Sequence, residues 1–394
     1  MLESFYQTHD YLVQHHDEPI RRTLMDEVNW SDRLIAIKGG RGVGKTDFLL
    51  SYARELADLN PQAAHEILYV NFNNFYFAEH SLYDFAGEFV RQGGKTLILD
   101  QMFKYPNWSK ELRDCYFHYT NLRIVFCASP IMRLTDGNSD IGHIVKTYNL
   151  RGYSFREYIN LQTGANLPVY SLNDIISDHE HIAAQVCSRV KPMYYFREYL
   201  EHGYYPGCMD NRYYNEMMLR LMNMILETDI LLIKQIDVSY LARIRELVYL
   251  LLSDLPGSLN ITQLASATDT SRLTVMNYIK CLKDARLINL LYTQNKQFPM
   301  KPTRVYMQNP NLCFALPSRE VSDKDLAETF FYSALHGNHR LNAIENATFI
   351  VDGKIRFDVL KTAPPLPGFR YSAIYDMEIG HDKQIPLWLF GFLY

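Results

Sequence analysis

An α/β fold built on a parallel sheet is predicted for the N-terminal part of this 394-residue chain. Three observations carry that prediction. Short apolar runs of strand type recur as "LIAIK" (34–38), "EILYVNF" (66–72), "LILD" (97–100) and "LRIVFCASP" (122–130). Segments with apolar residues at helical spacing lie between them, as in Phe48, Leu49, Tyr52, Ala53 and Leu56. A glycine-rich turn joins the first run to the first such helix. Strands alternating with helices specify a parallel sheet covered on both faces.

The turn reads Gly39-Gly40-Arg41-Gly42-Val43-Gly44-Lys45-Thr46, a full match to GxxxxGK[ST]. A chain of this length shows that pattern by accident about 1–2% of the time, and the strand before it and helix after it lower the figure further. Glycines let backbone N–H groups turn inward and cradle phosphates at a helix N-terminus. Lys45 then reaches the β- and γ-phosphates, and the Thr46 hydroxyl ligates Mg²⁺. These eight residues are the predicted phosphate-binding loop of a P-loop NTPase domain, with ATP and Mg²⁺ as ligands. Guanine specificity lacks support, because the only Asn-Lys pair, Asn295-Lys296, has no Asp after it.

A magnesium-holding carboxylate is expected at the end of a second buried strand. Asp100, closing "LILD" some fifty residues after Lys45, is the candidate. The run "LRIVFCASP" delivers Ser129 as a polar residue able to sense a γ-phosphate, and Arg133 or Arg151 as positive charge for it. Gln101 follows Asp100, where a hydrolysing enzyme of this architecture places Glu. An amide orients water but does not accept its proton, and general-base assistance is worth roughly 10²–10⁴-fold. Nucleotide binding with slow turnover is the expectation.

Composition bounds the rest. Hydrophobic residues make up 47% and charged residues 21%, ordinary for a globular protein. The net charge is −4, so a nucleic-acid role would need a local basic patch. Six cysteines lie far apart without a CxxC pair, which fits a reducing compartment. The N-terminus has no basic-then-apolar leader, and no apolar run reaches 18 residues without a charge. A cytoplasmic protein without membrane contact is expected.

Beyond an ATPase domain at 1–155, residues 156–235 read as a helical lid or linker. Its stripe of Met217, Met218, Leu221, Met222 and Ile225 is either core or a pliable protein-docking face. Residues 236–300 have a winged-helix rhythm, with three helical segments at "IRELVYLLLSDL", "ITQLASAT" and "SRLTVMNYIKCLKDARLI". The open face of the third carries Arg272, Asn277, Lys280 and Lys283, a thin surface for DNA. Residues 301–394 read as a small α/β domain.

Taken together, "GGRGVGKT", "KTLILDQMFKYPNWSKELRDCY", "LRIVFCASP", "RGYSFREY", "HGYYPG", "VYMQNPNLCFAL" and "PLWLFGFLY" resemble the bacterial AAA-type ATPases that carry a C-terminal restriction-endonuclease-like domain of unknown function. Those proteins read D-E-V-H where this chain has Asp100-Gln101-Met102-Phe103. The resemblance implies a nuclease-like fold for 301–394, with a helix Glu, a strand Asp and an E-x-K group around Mg²⁺. Glu328 fits the first slot, Thr348 stands in the second, and Asp358-Val359-Leu360-Lys361 has the wrong spacing for the third, so an inactive domain is expected. The expected function is an ATP-binding AAA-type protein, a slow ATPase whose nucleotide state positions its C-terminal domains. Two alternatives stand beside it: a DNA-binding protein on a vestigial ATPase scaffold, and an interaction protein of a defence or toxin-type system.

Overall fold

The computed structural model describes residues 2–17, 19–135, 137–208, 213–232, 236–254, 256–316, 320–362 and 370–394. The chain forms two compact units, Met1–Arg151 and Gly152–Tyr394.

In the first unit the elements run α1 (Leu2–Gln14), α2 (Leu24–Glu27), β1 (Leu34–Gly39), α3 (Lys45–Leu59), β2 (Ile67–Asn71), α4 (Leu82–Arg91), β3 (Thr96–Asp100), α5 (Trp108–His118), β4 (Arg123–Ala128) and β5 (Lys146–Leu150). Their five strands make one sheet in the order β2-β3-β4-β1-β5, parallel throughout. β3 is buried along its whole length, as expected of a parallel strand covered on both faces. Alternate residues supply the two sides. Leu34, Ala36, Leu68, Val70, Leu97, Leu99, Ile124 and Phe126 pack with Phe85 and Phe89 of α4 and Leu112 and Cys115 of α5. The fifth strand has no apolar run. "KTYNL" lies at the sheet edge, partly exposed, and is held by its pairing with β1.

At the opposite edge β2 is protected by α1. His9 is buried, and its Nδ1 accepts the outward-facing Tyr69 N–H at 3.0 Å. A strand edge with unpaired donors invites foreign pairing, and this imidazole closes that donor. The acceptor role requires neutral His9, and burial lowers its pKa below the ordinary 6.5, outweighing the opposite pull of Asp10.

The second unit begins with α6 (Phe155–Thr163), α7 (Leu172–Cys187), α8 (Pro192–His202) and α9 (Tyr214–Met224). Ser154 and Glu157 form a reciprocal capping box that starts α6, the structural reason for the "SFREY" tract. Met218, Leu221, Met222 and Ile225 are buried and Met217 is half-buried, so the methionine stripe is mostly core. Three helices follow, α10 (Leu241–Asp254), α11 (Ile261–Ala267) and α12 (Arg272–Asp284), then an antiparallel pair, β6 (Ile288–Leu291) and β7 (Arg304–Met307). A bridge from Gly257 to Val305 ties the α10–α11 connection to that pair.

The last section holds α13 (Asp323–Leu335), β8 (Leu341–Ile344), β9 (Ala347–Val351), β10 (Ile355–Leu360), β11 (Arg370–Ile374) and β12 (Gln384–Pro386). The sheet is mixed: β8, β9 and β10 are antiparallel, whereas β10, β11 and β12 are parallel. Phe331 of α13 packs against Phe349, Phe357 and Phe390, and Leu387–Phe392 is wholly buried.

The edge imidazole generates a pH prediction. The unfolded chain takes up a proton near pH 6.5, before folded His9 does, so its stabilising contribution is present above that pH and drains away below it. The unfolding midpoint should therefore fall between about pH 7.5 and about pH 5.5. His9→Gln, which keeps a neutral acceptor, should show a shallower fall. Equal slopes in the two proteins would remove His9 as the cause.

Candidate nucleotide site

The glycine turn links the end of β1 to the first residue of α3, where four N–H groups lack helical partners. Gly42 and Gly44 adopt left-handed backbone, φ 77° and 89°, which only glycine takes at little cost. Gly39 has a different reason: a Cβ there would sit 2.7 Å from the Leu150 carbonyl oxygen at the end of β5. Among the described residues, the amides of Gly42 and Gly44 make no hydrogen bond. The Lys45 ammonium curls over the turn and donates to the carbonyls of Gly39 (2.8 Å) and Gly40 (2.7 Å). Unpartnered amides, a helix N-terminus and one ammonium over a concave turn fit a polyphosphate. Arg41 lies over the Phe103 ring, 5.2 Å from its centroid.

β4 separates β1 from β3, yet the two critical side chains meet. Thr46 Oγ1 donates to Asp100 Oδ2 at 2.6 Å. Asp100 is 1% exposed and accepts three further donors. The Tyr69 hydroxyl reaches Oδ2 at 2.9 Å from the neighbouring strand, the Gln101 N–H reaches Oδ1 at 2.8 Å, and the Cys127 thiol also donates to Oδ1. Burial, and secondly the Asp100 charge, push the Tyr69 phenol far above its usual range. The same two causes, in the same order, raise the Cys127 thiol. Both side chains stay protonated and act as donors.

Gln101 has φ 60° and ψ 27°, a left-handed conformation uncommon for a residue other than glycine, and it starts the short turn Met102–Lys104. Ser129 is buried directly after β4. Since Lys38 pairs with Ala128, Ser129 stands beside Gly39 one step further along. Arg133 is exposed. Arg151 offers its carbonyl to the buried Arg22 (2.6 Å), which also donates to the Val43 carbonyl (3.1 Å). Asn71 is registered beside Asp100 and accepts the Asn73 N–H, while Asn73 accepts the Lys104 ammonium. Sequence reasoning missed Tyr69, Cys127 and Arg22. The first two read as ordinary apolar strand positions, and the third lies in a segment without a pattern.

In the second unit Glu328 is already committed. It is buried on α13, paired with Arg304 at 2.7 Å and with the Tyr306 hydroxyl at 3.1 Å, and burial raises its pKa against the opposing pull of Arg304. The Asp358 carboxylate accepts the Thr348 N–H, and Thr348 Oγ1 accepts the Val359 N–H, so the two residues staple β9 to β10. Lys361 instead lines a cavity of about 230 Å³ with Arg197, Asp323 and Asp376. Among the described residues, no group of three or more His, Cys, Asp or Glu side chains is placed to hold a metal ion.

Residues 31–159 match the family described as AAA domain. The first unit contains an AAA-type P-loop domain. Residues 193–316 match a domain of unknown function, DUF8612. An uncharacterised protein of Methanocaldococcus jannaschii is 23% identical over 295 residues, covering 70% of this chain and 60% of that protein. The chain thus spans about 60% of the length of that relative. Among solved structures, the Aeropyrum pernix Orc1 protein in complex with DNA is similar over 79% of this chain and 90% of its own, at 12% identity and a TM-score of 0.32. AMPPCP-bound DnaA from Aquifex aeolicus covers 71% of this chain and 87% of its own, at 12% identity and a TM-score of 0.25. Among the described residues, no helix is long and apolar enough to cross a membrane.

The close approach at Gly39 gives a mutational prediction. In Gly39→Ala the new methyl meets backbone, which cannot rotate away, so the strand end must shift. Overpacking of this kind costs about 1–3 kcal/mol. Chemical denaturation should show a loss of that size. An unchanged midpoint would mean that the contact with Leu150 relaxes freely.

Proposed function

We propose that the protein binds ATP with Mg²⁺ through Gly39, Gly40, Arg41, Gly42, Val43, Gly44, Lys45 and Thr46, with Asp100 completing the site. The observation that carries this reading is the 2.6 Å hydrogen bond joining Thr46 to Asp100. It sets a hydroxyl and a carboxylate side by side at the mouth of the turn, the hard oxygen ligands that Mg²⁺ prefers. All four acceptor directions of Asp100 are taken. Thr46 and Asp100 would hold the cation, with Asp100 also orienting the Thr46 hydroxyl. When bound, Mg²⁺ would supply charge neutralisation at the phosphates. With nucleotide bound, Lys45 would exchange the Gly39 and Gly40 carbonyls for phosphate oxygens, and Ser129 would face the γ-phosphate end.

Turnover in this reading is slow. Gln101 holds a water through its amide without taking the proton, and nucleotide state, rather than flux, positions the C-terminal region. Nucleotide at ~100 times its dissociation constant should stabilise the protein by about 2.7 kcal/mol. Lys45→Ala should abolish that gain, and a gain retained in the variant would place the ligand elsewhere. Gln101→Glu should accelerate hydrolysis at least tenfold, within the span of general-base catalysis. A wild-type rate of several per second would show that some other residue activates the water.

A second reading, DNA contact by a winged-helix unit at 236–300, is favoured by exposed cations around a groove rather than by the open face of α12. Lys280 and Lys283 both lie near Asp284, at 2.9 and 3.9 Å, which removes much of the charge expected on α12. Arg272 and Lys301 remain exposed beside Asn260 and Thr262 around a groove of about 340 Å³, with Lys296 exposed on the β6–β7 loop. Each phosphate contact steepens the salt dependence by about 0.9 on a log–log scale. Arg272→Gln with Lys301→Gln should weaken duplex binding and flatten that slope by about 2. A slope unchanged by the double substitution would exclude this surface. The C-terminal domain, nuclease-like in this reading, has Glu328 and Asp358 in structural use and should leave supercoiled DNA uncut with Mg²⁺.

A further inference from the structure

We infer that Arg22 is a positioning residue for the phosphate loop: by holding the Val43 carbonyl outward, it aims the Gly44 N–H into the cradle. The inference rests on the nucleotide reading of that loop. Arginine is almost never fully buried unless paired, and Arg22 is only 7% exposed. Its two terminal nitrogens go to main-chain carbonyls, Nη1 to Val43 at 3.1 Å and Nη2 to Arg151 at 2.6 Å.

The consequence for the loop follows from peptide geometry. The Val43–Gly44 bond is trans, because the cis bond among the described residues is Phe298–Pro299. In a planar trans peptide the carbonyl and the N–H point in opposite directions. Fixing one therefore fixes the other. The control matters here because Val43 sits between Gly42 and Gly44, both at positive φ, and glycines hold a peptide plane weakly by themselves. Arg22 supplies from outside the loop the restraint that its residues lack.

The second arm anchors the restraint. Arg151 follows β5, and the Leu150 carbonyl before it is the atom that a Cβ at Gly39 would meet. One guanidinium therefore ties the middle of the loop to the strand end that abuts the loop's beginning. A rigid fork holds both carbonyls at once. An ammonium is a point donor on a flexible stem and does not reproduce this geometry.

The test uses inorganic pyrophosphate and ADP as probes, titrated calorimetrically against the full chain, Arg22→Gln and Arg22→Lys. Arg22→Gln should weaken both ligands by a similar factor, about tenfold or more, the scale of a charge-assisted hydrogen bond. Arg22→Lys should fall between Arg22→Gln and wild type. The similar factor is the discriminating readout, because pyrophosphate has no base or sugar and senses only the cradle. Wild-type pyrophosphate affinity in Arg22→Gln, or a loss confined to ADP, would overturn the inference. If Arg22→Gln does not fold, Arg22→Lys decides, and wild-type affinity in that variant would also overturn it. A wild-type chain that binds neither probe would instead sink the nucleotide reading itself, and this inference with it.

Discussion

The buried Asp100 carboxylate organises the first unit. A charge at 1% exposure is costly to desolvate, and four donors from four directions offset that cost. Thr46 brings in the first turn of α3, Tyr69 brings β2, Cys127 brings β4, and the Gln101 N–H turns the chain back on itself. The left-handed backbone at Gln101 accompanies that last bond. Three adjacent strands and the helix above them are thereby registered on one carboxylate. The geometry of the phosphate loop is a property of the sheet as much as of the glycines.

Much of this is legible in the sequence alone. Four strands, the helices between them, the glycine turn and Asp100 all announce themselves because each obeys a local rule: apolar runs, helical spacing, and residue types that a phosphate loop requires. What escaped depends on distant partners. β5 is polar and becomes a strand only because β1 offers it an edge. Tyr69 and Cys127 look like core residues until Asp100 appears beside them. Arg22 is 21 residues before Val43 and 129 before Arg151, a spacing no periodicity reports.

The second unit shows how a motif slot differs from a site. Glu328 occupies the helix position expected of an acidic ligand, yet its Oε2 meets both Arg304 and Tyr306 inside the fold. Asp358 and Thr348 are spent on each other's strands. A residue's position along the chain does not say which neighbour claims its carboxylate first. The same holds for α12, where Asp284 lies close to two of the cations that sequence assigned to an open face.

The order of the strands has a further consequence, for how the domain comes into being. β1 finds no partner among the strands that directly follow it, since Leu34 pairs with Ile124 and Ile35 with Lys146. Closing such long loops precedes any reward from pairing, and non-local pairing slows folding. On a growing chain both neighbours of β1 in the sheet, β4 and β5, are made after β2 and β3. The phosphate cradle is thus flanked on both sides by strands that come well after its own residues in the chain.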